Sequence, residues 1–273
     1  MDKKTRRLLG LHRAEYEASK TSETNAWLCQ GVVGVSALVA VAVDFEPVVY
    51  VASLVALGAS AMAGWFTYQS RQLRDIAERS RRLLLLVEGL GYQPSDTEYR
   101  DLMASFRSSE ATGKHWEKVD YYSGSEAPGT ARLCSLLEES AFFSEHLLAA
   151  SARLCWSAFL LSLALSLAVL LFLPLVQEVS WSLIVARIVA VLLTFIVAVD
   201  LFGRAQGYSS AEQAVRNIRT RINALPASGP RTEDLLIILG DYHSAVECAP
   251  LIPTFVYSLN VKRLNRLRTM SKS

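Results

Sequence analysis

The chain has 273 residues, 51% hydrophobic and 20% charged, with 28 Lys and Arg against 26 Asp and Glu. A net charge of +2 gives no electrostatic footprint for a nucleic-acid polymer, and a mean hydropathy of +0.25 is high for a chain surrounded only by water. Cys29, Cys134, Cys155 and Cys248 show no CxxC spacing, so neither a zinc site nor a disulfide framework is expected.

Residues 1–25 carry six basic side chains and read as a cytoplasmic N-terminal helix. Residues 26–43 and 48–69 hold no charge. Each is close to the ~20 apolar residues that a helix rising 1.5 Å per residue needs to cross ~30 Å of hydrocarbon. Their link, Asp44-Phe45-Glu46-Pro47, is short and acidic, so 26–69 is expected to form a transmembrane hairpin. In its second span Ala56, Ser60 and Gly64 recur every four residues, a small-residue face that lets another helix approach closely. No removable leader is expected, because no small-residue cleavage site separates the two apolar segments.

Residues 70–151 form the cytoplasmic stalk and insert. Ile76, Ser80, Leu83, Val87 and Leu90 keep a 4-3-4-3 rhythm, the seam of a coiled-coil-like helix whose polar face carries Arg71, Arg74, Arg79 and Arg82. The second span is expected to run straight into this stalk and to stop near Gly89 and Gly91. After a short helix around 98–106 and a turn-rich stretch at 123–129, a helical run over 131–146 leads into the third span.

Residues 152–202 hold the second hairpin, with spans at 154–176 and 179–199. Ser157, Ser162 and Ser166 make the third span mildly amphipathic, a pattern that fits hydrogen bonds across a bundle or the lining of a pore. Arg187 lies inside the fourth span, where a charge costs roughly 2.5–3.5 kcal/mol at the bilayer centre. It must snorkel outward towards Glu178, or else face a water-filled path that favours anions. Arg153 and Asp200 end adjacent spans at similar depth and are expected to close the hairpin as an ion pair.

Residues 203–273 repeat the stalk. Ala211, Val215, Ile218, Ile222 and Leu225 keep the earlier rhythm opposite Arg204, Arg216, Arg219 and Arg221, and the fourth span is expected to continue straight into it. The helix should stop within 226–230, before a helix over 233–245, the run Pro250-Leu251-Ile252-Pro253 and a basic tail.

The chain therefore reads as written twice: Ala26-Trp27-Leu28-Cys29 recurs as Ala152-Arg153-Leu154-Cys155, each opening a hairpin. All basic residues except Arg187 lie outside the spans, six before residue 26, eleven within 70–153 and ten after 203. The positive-inside rule puts both termini in the cytoplasm. The expected fold is an all-α integral membrane protein, with four transmembrane helices as two parallel-repeat hairpins and long cytoplasmic helical extensions. Parallel copies count against the inverted repeats of many transporters.

No P-loop, nucleophile elbow or dinucleotide-binding glycine pattern occurs, and His12, His115, His146 and His243 are scattered. Neither an enzyme nor a cofactor or metal is expected.

The arrangement of two hairpins around an insert resembles the SMODS-associated four-transmembrane family. The resemblance rests on Asp120-Tyr121-Tyr122-Ser123, on Ala131-Arg132-Leu133-Cys134 leading into the third span, and on Pro250-Leu251-Ile252-Pro253 with Tyr257. Tyr121 stands where a Trp is expected, and Ser135-Leu136-Leu137-Glu138 where a polar run is expected, departures that fit a divergent branch or duplicated two-transmembrane effectors. The resemblance implies a pore-forming effector of bacterial antiphage defence, homo-oligomeric in the inner membrane, triggered by a cyclic nucleotide from a partner nucleotidyltransferase. Phosphates would need cationic donors and a base an aromatic platform, which Arg132 with Trp116, Tyr121 and Tyr122 would supply. The same aromatics serve equally to pack the insert against the stalks. The alternatives are a non-enzymatic membrane scaffold and a small-solute channel or transporter.

Overall fold

The computed structural model describes residues 3–43, 45–117, 126–172, 188–189, 200–226 and 230–272. The helices are α1 (Lys3–Ala42), α2 (Glu46–Leu90), α3 (Asp96–Ser105), α4 (Glu110–Trp116), α5 (Thr130–Phe172), α6 (Leu201–Asn223), α7 (Thr232–Cys248) and α8 (Thr254–Lys272), and there is no strand among the described residues. Three of them, α1, α2 and α5, are long and apolar enough to cross a membrane. Most of the expected fourth span, Arg187 included, lies outside the described residues, as do Tyr121 and Tyr122.

The helix ends follow local chemistry. Pro47 sits in the first turn of α2, where its missing N–H leaves no bond unmade. At the other end Gly91, at φ 71°, donates to Val87 O at 3.1 Å and Tyr92 donates to Leu86 O at 3.2 Å. A left-handed glycine thus takes up the last carbonyls and stops α2. Ser95 caps α3 by accepting from Glu98 N at 3.1 Å, and Ser109 caps α4 by accepting from Thr112 N at 3.2 Å.

The expectation of a straight helix out of the fourth span needs correction. Asp200 has φ 53°, a left-handed conformation that breaks a right-handed helix at that residue, and α6 starts afresh at Leu201. Asp tolerates this region because its short side chain bonds locally: Asp200 Oδ1 accepts from Gly203 N at 3.1 Å. The incoming helices, by contrast, are extended too, since α1 and α5 run 40 and 43 residues against 45 for α2.

The chain packs as two compact units, Met1–Lys20 with Ser70–Ser151 and Gly207–Ser273, and Thr21–Gln69 with Ala152–Gln206. In the first unit α1 and α2 pair antiparallel. Leu8 and Leu9 cluster with Leu83 and Leu84, His12 Nδ1 lies 2.9 Å from Ala77 O, and Ser19 and Ser70 each donate to the other's carbonyl at 2.8 and 3.0 Å. Gly10 meets Gly113 of α4 so closely that a Cβ would strike its carbonyl. Buried Glu15 anchors the loop before α4, its Oε1 accepting from Arg107 N at 2.5 Å and Ser108 N at 2.6 Å.

The α6 seam is buried through Ala211, Val215, Ile218 and Ile222, whereas of the α2 seam only Ser80 and Leu83 are buried, Ile76, Val87 and Leu90 being half-buried, and the buried face there adds Leu73, Ala77 and Leu84. Arg219 on α6 reaches Glu138 and Glu145 of α5 at 3.5 and 3.1 Å and lies over the Phe142 ring. Tyr242 on α7 joins α2 to α5, taking a hydrogen bond from Arg81 and meeting Ser144 Oγ at 2.8 Å. α8 packs on α5 through Leu264, which clusters with Phe142 and Leu147, and through Arg268, 2.9 Å from Glu139.

In the second unit Arg204 pairs with Glu23 at 2.5 Å and lies over the Trp27 ring, and Trp156, Phe159 and Phe202 form a ring cluster. The small residues buried on α2 are Ala52, Ala59 and Ala63, whereas Ser60 and Gly64 are exposed and Ala56 is half-buried.

Candidate ligand cleft

A cleft of about 980 Å³ opens in the first unit. It is built at the far ends of three helices, with Lys4, Thr5 and Leu8 at the start of α1, Val87 and Glu88 at the end of α2, and Arg132 at the start of α5. Gly91, Tyr92, Pro94, Asp96 and Tyr99 form the wall between α2 and α3. The Ser95 N-cap starts α3 and so fixes where Asp96 and Tyr99 stand.

Two close approaches shape the floor. Gly129 N donates to Gly89 O at 2.7 Å, and a Cβ on Gly89 would come within 3.0 Å of Leu133 Cα. With glycine there, the α5 backbone can cross the last turn of α2 and carry Arg132 into the wall.

Arg132 is 6% exposed and its Nη1 has no hydrogen-bond partner. A buried guanidinium N–H left without an acceptor is a costly group that a ligand's oxygen would satisfy. Lys4, 3.7 Å from Asp96 and 5.6 Å from the centre of the Tyr99 ring, adds a second cation. Tyr92 donates to Glu98 at 2.9 Å, which raises its pKa. Three carboxylates, Glu88, Asp96 and Glu126, also line the cleft, so its charge is mixed. Such a lining suits a ligand bearing both an anionic group for Arg132 and N–H donors for the acids, with a flat face for Tyr92 or Tyr99.

Of the residues expected from sequence to bind a ligand, Arg132 is in the cleft. Trp116 is not among its lining residues; it ends α4, edge-on to His115 at 5.4 Å. Sequence reasoning missed Lys4, Tyr92 and Tyr99. Their signal was the Gly91-Tyr92-Gln93-Pro94 break, which marks a chain turning back over the helix end it has just left.

The membrane-span candidates distribute differently. Ser157 is exposed, and Ser162 and Ser166 donate to Phe159 O and Ser162 O of their own helix at 2.8 and 2.9 Å. Arg153 is exposed, and Asp200 caps α6. No group of three or more His, Cys, Asp or Glu able to hold a metal occurs among the described residues.

A second polar cluster lies in the bundle core. Arg81 pairs with Glu78 at 3.6 Å and stacks over Tyr242, close to His12 and His243. Burial, reinforced by Arg81, lowers the pKa of both histidines to about 3, so they stay neutral. Burial raises Tyr16 to about 12. The cluster is closed and structural, whereas the cleft is open.

No protein-family model, curated protein or solved structure matches this chain.

Proposed function

We propose that the chain is a signal-gated membrane effector whose helical cytoplasmic bundle takes a nucleotide in the Arg132 cleft and, in response, rearranges its spans to permeabilise the bacterial inner membrane. The observation that carries this reading is the place of the buried, unpartnered Arg132 guanidinium, where the ends of α1, α2 and α5 converge. These are the helices apolar enough to span a membrane. A ligand that draws Arg132 towards its phosphate acts on all three helices at once, and a ligand shifts a conformational equilibrium only by such differential contacts. Four spans in two hairpins, with both termini cytoplasmic, are part of the proposal and rest on the apolar stretch at 179–199 and the one-sided basic residues.

The resemblance to antiphage effectors supplies the ligand class, cyclic nucleotides, and the setting, in which a triggered pore stops infection. The test is dye release from phosphatidylethanolamine and phosphatidylglycerol vesicles holding the full chain, challenged with a panel of cyclic di- and trinucleotides. Release by at least one nucleotide, lost in Arg132→Met, is expected. Unchanged release across the panel, or an Arg132→Met response equal to wild type, would overturn the assignment. Release without any nucleotide would instead mark a constitutive channel.

A further inference from the structure

Arg132 and Glu88 line the same cleft with opposite charges, yet among the described residues neither forms an ion pair, with the other or with a third group. Arg132 is 6% exposed and its Nη1 has no hydrogen-bond partner; Glu88 is half-buried in the last turn of α2. The close crossing of Gly89 and Leu133 holds both backbones, since Glu88 precedes one and Arg132 the other. Folding therefore keeps a cation and an anion beside one backbone contact without joining them. A ligand that brings both an anion and N–H donors satisfies the two at once.

The other charged groups of the cleft are already engaged or open to water. Lys4 and Asp96 pair at 3.7 Å, and Lys4 also lies 5.6 Å from the centre of the Tyr99 ring. The Tyr92 hydroxyl donates to Glu98 at 2.9 Å, which fixes its ring at the cleft wall as a flat face. Glu126 is exposed, where water competes for its hydrogen bonds, whereas at half-buried Glu88 a hydrogen bond discriminates more sharply.

The chemistry of a carboxylate acceptor separates the bases. Guanine offers two adjacent donors on its Watson–Crick edge, N1–H and N2–H, which meet both oxygens of one carboxylate. Adenine sets its N6–H donor beside the lone pair of N1, cytosine sets N4–H beside N3, and uracil sets its one N–H between two carbonyls. A carboxylate has no proton to give any of those lone pairs and repels them.

We propose that the cleft selects guanine, Glu88 accepting N1–H and N2–H of the base while Arg132 takes a phosphate of the same ligand and Tyr92 supplies a stacking face. The assignment rests on the nucleotide reading of this cleft and narrows it, from cyclic nucleotides in general to those that contain guanine. Glu88 determines specificity and Arg132 affinity.

The test is calorimetric binding to the full chain in mild detergent of cyclic di-GMP, cyclic GMP–AMP, cyclic di-AMP and cyclic tri-AMP. The two guanine-containing ligands should bind tighter than the two adenine ones by roughly 5- to 100-fold, the discrimination of one good two-point contact to a base. Glu88→Gln keeps the size but replaces one acceptor oxygen by an N–H donor, which matches the donor–acceptor edge of adenine. It should weaken the guanine ligands and strengthen the adenine ones, and a gain of that kind is not a symptom of misfolding. Arg132→Met should weaken all four ligands alike. Equal affinity of wild type for both classes, or a Glu88→Gln variant that keeps the ratio or loses both classes together, would overturn guanine selection and leave the nucleotide reading standing. Failure of all four ligands to bind wild type would overturn both.

Discussion

The two units solve opposite problems with shared helices. In the first, α1, α2 and α5 bury charged groups: Glu15 is fully buried, Glu78 is 1% exposed and Arg132 6%. In the second, the same three helices display Leu57, Trp65, Leu161 and Leu171, all more than 60% exposed, and pack through small residues such as Ala59 and Ala63. The difference teaches that one continuous helix can be read against two solvents. In the first unit leucines fill the core, and polar groups are buried with them, some, such as both Glu78 oxygens and both His243 nitrogens, without a hydrogen-bond partner. The exposed apolar side chains of the second unit are compatible with a lipid surrounding, in which leucine outside costs nothing and close approach of backbones supplies the cohesion.

The contrast is broken most severely at Arg81. Arg81→Met removes the partner of buried Glu78 and the donor to Tyr242, and should cost the first unit about 3–5 kcal/mol, measured by urea unfolding in detergent. A loss under about 1 kcal/mol would mean that the network is not a supporting element.

Acid sharpens the same contrast. The folded pKa values of His12 and His243 are about 3 against 6.5 for the free side chain, so below pH 6.5 the unfolded chain binds protons that the folded chain refuses. Stability of the first unit should therefore fall as pH drops from about 6.5 towards about 3, by at most about 1.4 kcal/mol per pH unit for each histidine. His12→Gln with His243→Gln should flatten the slope; an equal slope in the double variant would assign it to other groups.

Five glycines, two in the first unit and three in the second, extend the contrast. Gly10→Ala and Gly89→Ala should each cost about 1–3 kcal/mol, because the added methyl meets the Gly113 backbone or Leu133. Gly31→Ala, Gly58→Ala and Gly64→Ala have nothing within 4 Å to strike and should be neutral or stabilise their helices by about 0.5–1 kcal/mol. Thermal melts of the five variants test the division, and a costly Gly64→Ala would point to a partner helix from another copy.

The smallest expected effect lies at the break before α6. Asp200→Ala loses the cap on Gly203 and should cost about 1 kcal/mol, seen as faster amide exchange in the first turn of α6. Unchanged exchange there would show that the break survives without its carboxylate.

Much of the helical order was legible in the residues. Gly91 announces the end of α2, the short helix expected around 98–106 is found as α3 over Asp96–Ser105, and the 4-3-4-3 rhythm from Ala211 marks a face of α6 that is indeed buried. The break at Asp200 was not legible, since periodicity runs through it and one residue in a left-handed conformation leaves no trace in hydropathy. Trp116 was grouped with Arg132 because sixteen positions along a chain look close, whereas α4 is held to α1 through Gly10 and Glu15 instead.

The sequence by itself determined four apolar stretches of membrane-spanning length, three of which lie on long apolar helices among the described residues, and basic residues almost entirely outside them, because these depend on local composition and spacing. Only the tertiary structure decided that Lys4, Tyr92 and Arg132 share one cleft and that Tyr242 joins α2 to α5. Those juxtapositions depend on where helices end and how closely their backbones cross, and a single glycine such as Gly89 sets that distance without altering the hydrophobic pattern around it.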